Sequence, residues 1–284
     1  MSQKKSNLLL WIIVGAGAFF FLILCLAVLI VFFAGRSSSP IALSSGQLAL
    51  LELTGTITDS KDFIDQLTEY GNRPGIKAVV LRINSPGGGV AATQEIYEAI
   101  KSFREETGKK VIVSMASVAA SGGYYVACGA DKIFANPGTV TGGIGVIAQW
   151  YNYADLLRWA KMQNVVIKSG DLKDAGSGTR LMTEEEKKYF QSLIDTMHGQ
   201  FVAAVAGSRE LDENIVRELA DGRVYTGQEA KAHQLIDELG TLQDAIDAAA
   251  EIAGIQGKPR IISPQRRRVS LLDIILSDSE SLLS

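Results

Sequence analysis

The sequence predicts an α/β fold, because short apolar runs of strand length alternate with longer segments whose apolar residues recur at helical spacing. The alternating segments are strand 48–57, helix 60–70, strand 77–83, helix 90–106 and strand 111–115. A helix of small residues is predicted to start near Ser121, directly after the last of these strands. This order is typical of a sheet whose faces are covered by helices.

The second half of the chain is predicted to be more helical. Thr183 with Glu186, and Thr226 with Glu229, form capping-box patterns. In such a box the threonine side chain accepts from the glutamate N–H, and the glutamate side chain accepts from the threonine N–H. The helix that follows Thr183 carries one apolar face. The residues of that face are Phe190, Ile194, Met197, Phe201 and Val205. A last helix is predicted over residues 242–253.

The composition limits the class of protein. The chain has 284 residues, and 47% of them are hydrophobic, which is enough to build the core of one large domain or two small ones. Its net charge of -3 disfavours a nucleic-acid partner, because phosphate binding requires a basic surface. Cys25 lies in an apolar run and Cys128 in a predicted helix, so no disulfide framework is predicted.

An uncharged apolar run over residues 8–34 predicts a transmembrane helix. Its 27 residues would reach roughly 40 Å as a helix, enough to span a bilayer with some tilt. Lys4 and Lys5 precede it, and only Arg36 closely follows, so residues 1–7 are predicted to form a cytoplasmic tail. We therefore expect a single-pass cell-membrane protein with its folded domain outside the cytoplasm. A cleaved signal peptide is the alternative, but its apolar region is normally shorter, at about 7–15 residues.

The rest of the chain divides into three parts. Residues 35–46 are rich in Ser and Gly and predict a flexible linker, and residues 47–258 form the predicted folded domain. Residues 259–284 are a predicted tail, in which arginines 266–268 precede the apolar segment 269–276. Three interpretations of this tail stay open: disorder, contact with a membrane surface, and docking into the chain's own binding groove.

A glycine-rich turn over residues 84–89, Asn-Ser-Pro-Gly-Gly-Gly, lies between a predicted strand and a predicted helix. Consecutive glycines let backbone N–H groups point at a ligand with no side chain in the way, as an oxyanion site requires. A nucleotide site is disfavoured because the Gly-Lys-Ser/Thr ending of a P-loop is missing. A plain turn would show the same residues.

Ser121 is the candidate nucleophile. It stands between a strand and a helix in Ala-Ala-Ser-Gly-Gly-Tyr-Tyr, and its small neighbours leave room for a substrate carbonyl group. A turn that merely starts a helix would look the same. A catalytic serine also needs a base, and the only histidines, His198 and His233, are explained by ordinary packing or exposure. A lysine base is the usual substitute, and its pKa of about 10.4 must fall by roughly three units through burial.

Five segments in this order resemble the signal peptide peptidase A family, the serine proteases of family S49. They are Ser-Pro-Gly-Gly at 85–88, Ala-Ala-Ser-Gly-Gly-Tyr-Tyr at 119–125, Thr-Gly-Gly-Ile-Gly-Val at 141–146, Ile-Lys-Ser-Gly-Asp-Leu-Lys-Asp at 167–174 and Gly-Arg-Val-Tyr-Thr-Gly-Gln-Glu-Ala at 222–230. The resemblance covers about residues 48–255 and extends to the single N-terminal span. It implies a crotonase-like (Clp protease-like) fold of repeated β-β-α units in a serine protease domain. It also implies an endopeptidase that hydrolyses released signal peptides and other short apolar segments.

The resemblance also implies the site residues. Ser121 matches the family's nucleophile, and Lys173 matches its general base, because the matching lysine directly precedes Asp174, whereas Lys168 does not. Gly88 and Gly122 would supply the oxyanion N–H groups, and no metal or cofactor is implied. This chain departs from the family at residue 143.

Gly143 stands where the family commonly has a serine that orients the lysine. Thr141 or a water molecule would have to replace that hydroxyl group. This departure keeps open a catalytically impaired scaffold on the same fold. Three more functions stay open: an acyl-CoA enzyme of the crotonase fold, a protease with a histidine triad, and a protease that acts on membrane-protein partners.

The resemblance implies an assembly as well. A double-length form of the family takes its lysine from one copy and its serine from the other. This chain holds one copy, so the implied assembly is a ring-shaped homo-oligomer in which Ser121 of one protomer faces Lys173 of the next.

Overall fold

The computed structural model describes residues 46–264. The predicted transmembrane helix 8–34, the tail 1–7 and arginines 266–268 lie outside these residues. Between residues 46 and 264, no helix is both long and apolar enough to cross a membrane.

Residues 46–264 form one mixed sheet of eight strands. The strands are β1 Gln47–Thr54, β2 Ile76–Ser85, β3 Lys110–Ala120, β4 Lys132–Ala135, β5 Val140–Gly142, β6 Val224–Thr226, β7 Glu238–Leu239 and β8 Arg260–Ile262. Their main order is β6-β5-β3-β2-β1-β8, with β4 joining β3 to β7. Only β5 and β6 pair in antiparallel fashion within this described sheet. β8 extends the sheet beyond residue 258, where the sequence placed the end of the folded domain.

Helices cover the sheet, which confirms the predicted α/β class. They are α1 Lys61–Gly71, α2 Val90–Thr107, α3 Gly122–Ala127, α4 Ala154–Trp159, α5 Glu184–Arg209, α6 Glu213–Leu219, α7 Gly227–Ala232 and α8 Leu242–Ile252, with a 3-10 helix at Asp171–Asp174. Both predicted capping boxes form, at Thr183 before α5 and at Thr226 before α7. A third capping box, at Thr241, starts α8.

Strand β2 is buried on both faces of the sheet. Val79 and Leu81 belong to the larger core, which α1, α2, α3 and α5 help to build. Ala78 and Val80 pack on the opposite face, in the cluster that contains the buried alanines of α8. A strand covered on both sides has to be apolar at nearly every position, so the sequence shows a continuous run and no alternation.

The long strand β3 changes partner along its length. Its first half pairs with β4, and its last three residues, Val118 to Ala120, pair with β5. Both pairings are parallel, so the carboxyl ends of β3 and β5 lie side by side. Ser121 follows β3 directly and therefore lies at the carboxyl ends of these strands.

Residues 147–181, which we call the arm, contribute no strand and no buried residue to the fold. The arm contains only α4, the 3-10 helix and irregular segments. Several of its large apolar side chains are at least 60% exposed. They are Ile147, Tyr151, Leu156, Trp159, Met162, Val165, Ile167 and Leu181.

Candidate active site

Ser121 forms a strained elbow between β3 and α3. Its backbone has φ 52° and ψ -122°, a combination that a residue with a Cβ atom rarely adopts. Such strain persists only where the surroundings enforce it, and it is concentrated at functional sites. Two backbone hydrogen bonds hold the turn: Ser121 N–H donates to Gly142 C=O at 2.8 Å, and Tyr125 N–H donates to Ser121 C=O at 2.9 Å. A sharp strand-to-helix turn of this kind exposes a nucleophilic serine hydroxyl group.

The glycines after Ser121 allow the turn to pack closely. A Cβ atom on Gly122 would lie 2.6 Å from Thr93 Oγ1, and one on Gly123 would lie 2.8 Å from Ser85 O. Neither position has room for a side chain. The small residues that marked Ser121 in the sequence are therefore a packing requirement of the elbow.

The glycine-rich turn 84–89 packs directly on the elbow. A Cβ atom on Gly87 would lie 2.5 Å from Gly122 N. Ile57 fixes the direction of this turn, because its N–H donates to Gly87 C=O at 2.9 Å and its C=O accepts from Gly89 N–H at 2.8 Å. In an extended chain, successive residues face opposite sides, so the N–H of Gly88 points away from Ile57.

Two backbone N–H groups consequently lie beside Ser121. Gly88, Gly122 and Ser121 line the same small pocket. Gly122 is the first residue of α3, so its N–H has no acceptor within the helix and lies at the positive end of the helix dipole. A Cβ atom on Gly122 would lie 3.2 Å from Gly88 N, so the two amides are neighbours. The arrangement suits the oxygen of a tetrahedral intermediate.

The walls of this pocket are mostly apolar. They are formed by Val90, Tyr125, Val146, Met197 and Phe201. The Tyr125 and Phe201 rings pack against each other with centroids 4.6 Å apart and planes inclined by 36°. The sequence predicted Met197 and Phe201 only as part of an apolar helix face. Their position beside Ser121 depends on how α5 packs against α3.

Thr93 is a polar residue in the same pocket that sequence reasoning missed. It is 2% exposed, and its hydroxyl group has no hydrogen-bond partner among residues 46–264. A buried hydroxyl group without a partner is costly. Nothing in the sequence distinguishes Thr93 from any other threonine within a helix, so its place in the pocket of Ser121 could not be predicted.

The two candidate lysines have different surroundings. Lys173 lies in the 3-10 helix with an exposed side chain, which forms no hydrogen bond or ion pair with any described residue. Lys168 Nζ instead donates to Asp174 Oδ1 at 2.7 Å and to Asp171 C=O at 2.8 Å. Neither lysine lines the pocket of Ser121. Within one chain, the structure groups Ser121 with Gly88 and Gly122, and Lys173 lies outside this group.

Asp174, which directly follows Lys173, is part of a network of charged side chains. Arg180 donates to Asp174 Oδ2 through Nε at 3.0 Å and to Oδ1 through Nη2 at 2.9 Å. The same guanidinium group binds both oxygens of Glu186, with Nη1 to Oε2 at 2.9 Å. Hydrogen bonds from Arg180 and then Lys168 hold the pKa of Asp174 well below its usual range. The bond from Arg180 also lowers the pKa of Glu186 to about 2.

Gly143 borders the nucleophile. Its φ is +61°, and a Cβ atom there would lie 3.3 Å from Ser121 N. The hydroxyl group of Thr141, the proposed substitute for a serine at 143, is fully buried and donates to Ala119 C=O at 2.7 Å. Its proton is therefore already used within the sheet.

The two histidines lie outside the pocket lining. His198 Nε2 is buried and has no partner among the described residues, and the His233 ring packs against Tyr225 with centroids 5.3 Å apart. Neither imidazole group is among those that surround Ser121. The geometry gives no support to a histidine triad.

A serine on a strained elbow, with two adjacent backbone N–H groups on a parallel-stranded α/β core, defines a serine hydrolase with the Clp protease-like fold. Sequence comparison agrees, since the Clp protease family profile matches residues 47–140. The profile described as Peptidase family S49 matches residues 104–256, more than half of the chain. The chain belongs to peptidase family S49 and is a serine-type peptidase.

Individual relatives support this assignment. The chain is 41% identical over 210 residues to "Putative protease slr0021" of Synechocystis sp., covering 74% of this chain and 75% of that protein. It is 32% identical over 222 residues to "Protease 4" of Salmonella typhi, covering 75% and 36%. It is 31% identical over 256 residues to "Serine protease SPPA, chloroplastic" of Arabidopsis thaliana, covering 88% and 38%. The chain thus spans little more than a third of the last two proteins.

Proposed function

We propose that this chain is a membrane-anchored endopeptidase in which Ser121 is the nucleophile and Lys173 the general base. Its substrates are released signal peptides and other short apolar segments. The observation that carries the proposal is the strained Ser121 elbow, with the N–H groups of Gly88 and Gly122 beside it. The apolar pocket walls support an apolar substrate side chain.

The proposed reaction is acyl transfer to Ser121. Neutral Lys173 accepts the proton of the Ser121 hydroxyl group, and the oxygen attacks the peptide carbonyl carbon. The N–H groups of Gly88 and Gly122 stabilise the oxyanion. Lys173 then gives the proton to the leaving amine, and water hydrolyses the acyl-enzyme by the same route.

The surroundings of the two lysines favour Lys173 as the base. An amino group next to a carboxylate is stabilised in its charged form, which cannot accept a proton. Lys168 has such a partner in Asp174, whereas the side chain of Lys173 has none among residues 46–264. The choice of Lys173 therefore has support apart from its place in the motif.

The exposure of Lys173 supports a site shared between protomers. A neutral lysine requires an apolar environment, and one chain alone leaves Lys173 exposed. Lys173 belongs to the arm, whose exposed apolar side chains are typical of a protein interface. We propose that the arm packs against a second copy of the chain and carries Lys173 to the partner's Ser121, which closes a ring.

The proposed anchor is the uncharged segment 8–34. The lysines before it favour a cytoplasmic N-terminus and a catalytic domain on the opposite side of the membrane. The full chain, produced in a bacterium, should remain with the membranes after carbonate washing. Deletion of residues 8–34 should release it, and retention of that variant in the washed membranes would contradict the anchor.

A catalytically impaired scaffold is the second candidate, and Gly143 is the observation that favours it. The strained elbow argues for retained activity, because a scaffold gains nothing from such a conformation at Ser121. Labelling with a serine-reactive phosphonate separates the two. We expect mass spectrometry to locate the label on Ser121 and to find none on Ser121→Ala.

Mixing two inactive variants tests the shared site. Ser121→Ala and Lys173→Ala should each lack activity on an apolar fluorogenic peptide. Co-assembled through different affinity tags, they should recover activity, because some sites then combine an intact serine with an intact lysine. Tagged oligomers verified to contain both variants but lacking activity would rule out sharing.

A further inference from the structure

We propose that Arg180 is a positioning residue for the catalytic lysine, because it fastens the 3-10 helix that carries Lys173 to the start of α5. The inference rests on the proposed role of Lys173. It assigns to Arg180 both the placement of Lys173 and the neutralisation of the adjacent carboxylate, Asp174.

Arg180 connects the 3-10 helix to the first turn of α5. On one side it binds both oxygens of Asp174, the residue after Lys173. On the other it binds both oxygens of Glu186, which is 2% exposed in the first turn of α5. Planar, two-pronged pairing of this kind fixes orientation as well as distance.

Glu186 is itself held in place. Its carboxylate accepts from Thr183 N–H at 2.8 Å, and its own N–H donates to Thr183 Oγ1 at 3.2 Å, which completes the capping box of α5. The same helix supplies Met197 and Phe201 to the pocket of Ser121. Arg180 therefore ties the position of Lys173 to the helix that also shapes the substrate pocket.

The arm has few other means of holding Lys173. It contains no buried side chain and no strand, so the core does not fix its conformation. The packing of Trp150 against Phe190, with ring centroids 4.4 Å apart, is one contact between the arm and α5. Asn152 Nδ2 adds a 2.9 Å hydrogen bond to the backbone oxygen of Arg180 itself. Lys168 also binds Asp174 but belongs to the arm itself, whereas Arg180 connects Asp174 to Glu186 at the start of α5.

The charges explain why an arginine suits this place. A free carboxylate beside Lys173 would favour the protonated amine and weaken the base. Asp174 instead faces two cations, Arg180 and Lys168, and Glu186 lies on the far side of the guanidinium group. The remaining acidic neighbour, Asp171, lies in the same 3-10 helix and offers its backbone oxygen to Lys168. With Asp174 compensated, a weaker negative potential acts on the neighbouring amine.

The test is the pH dependence of kcat/KM for the full chain in detergent micelles on an apolar fluorogenic peptide. In Arg180→Gln, Asp174 keeps Lys168 but loses the charge of Arg180. The acidic limb of the pH profile should therefore move up by about one pH unit, the shift that a tenfold change in proton affinity produces. The value of kcat should fall about tenfold, with little change in KM, because the base and not the pocket is displaced. Arg180→Lys should return the acidic limb of the pH profile to its original position, because lysine replaces the charge. It should recover only part of kcat, because lysine does not replace the two-pronged geometry.

The double variant Arg180→Gln with Asp174→Asn should return the acidic limb of the pH profile to its original position, because the carboxylate is gone. It should leave kcat low, because the two-pronged pairing is still missing. Arg104→Gln is the matched control, because Arg104 pairs with Asp131 at similar exposure, 31% and 12% against 34% and 15%, away from the site. It should lower the melting temperature and leave the pH profile unchanged. If Arg180→Gln behaves like Arg104→Gln, Arg180 is only a structural residue and the inference fails.

Two further outcomes are decisive. If Lys173→Ala keeps its activity, the proposed function itself is wrong. If Lys173→Ala is inactive while both Arg180 variants keep the original limb and kcat, only the positioning role of Arg180 is wrong. Should Arg180→Gln fail to fold, Arg180→Lys decides, because normal kcat in that variant would contradict the need for two-pronged pairing.

Discussion

The N–H of Ser121 donates a 2.8 Å hydrogen bond to the carbonyl oxygen of Gly142. This bond links the elbow to the end of β5 and uses the nucleophile's own N–H. An oxyanion formed at Ser121 must therefore take its hydrogen bonds from other groups. Gly88 and Gly122 are the neighbours whose N–H groups the backbone leaves in a suitable position.

Gly88→Ala should abolish most activity. The added Cβ atom would lie 2.1 Å from Ile57 O, so the bridge that directs the Gly88 N–H must open. Loss of one oxyanion donor lowers kcat by about 10²–10³-fold. Steady-state kinetics measure the loss of kcat, and thermal unfolding measures the effect of the opened bridge on stability.

Gly138→Ala is the control for that variant, since no atom lies within 4 Å of its added Cβ. It should keep both kcat and melting temperature. Equal losses of kcat in the two variants would mean that the Gly88 N–H has no special role.

Thr93→Val should stabilise the protein, and Thr141→Val should destabilise it. Valine has nearly the same shape as threonine, so each change removes mainly a hydroxyl group. The Thr93 hydroxyl has no partner among residues 46–264, whereas that of Thr141 donates to Ala119 C=O at 2.7 Å. We expect shifts of about 1 kcal/mol in opposite directions in denaturant unfolding. Equal destabilisation would show that Thr93 has a bound water or another partner.

The sequence predicted elements well where burial imposes a simple pattern. Strand 77–83 and helix 90–106 were found within two residues of their observed bounds, because an apolar run and a helical period are both clear signals. Strand β3 was predicted to end at residue 115 but continues to Ala120. Its last residues are small and pair with β5, a contact that local periodicity does not reveal. Strand β1 was predicted to reach residue 57 but stops at Thr54, because Gly55 has φ +81°.

Contacts between distant segments limited the prediction of the site. Small neighbours marked Ser121, but the direction of the Gly88 N–H depends on Ile57, which lies 31 positions earlier in the chain. Arg180 stands six residues from both Asp174 and Glu186, a spacing that matches neither a helix nor a strand. In the proposed assembly, Lys173 acts in the site of a second copy, a contact between chains that local sequence patterns do not reveal.

Acid should loosen the arm. The pKa values of Asp174 and Glu186 are depressed chiefly by Arg180, so their contribution to stability is present above their unfolded values, near 4. It is lost as pH falls through the folded values, which for Glu186 is about 2. Once the pH dependence of the intrinsic exchange rate is corrected for, protection from hydrogen exchange in residues 147–181 should therefore be lost as pH falls from about 4 to about 2.

Arg180→Gln should remove most of that pH dependence, because neither carboxylate then has its main partner. The exchange of β2, which has no part in the network, should stay the same in both proteins. An arm whose exchange is equally pH-dependent with and without Arg180 would contradict this explanation.

Gly143→Ser should raise activity while lowering stability. A Cβ atom at residue 143 would lie 3.3 Å from Ser121 N, so a serine hydroxyl there reaches the region in which the lysine must act. One added hydrogen bond is worth about 1 kcal/mol, which corresponds to about a fivefold rise in kcat. The position has φ +61°, so any side chain costs about 1 kcal/mol of stability.

Gly108→Ser separates the effect on activity from the effect on stability, since Gly108 has φ +66° with no atom near its added Cβ. It should show the same loss of stability with unchanged kcat, and Gly143→Ala should show no gain in kcat. A fall in kcat for Gly143→Ser would mean that this enzyme needs the space at Gly143 and orients its lysine by another group.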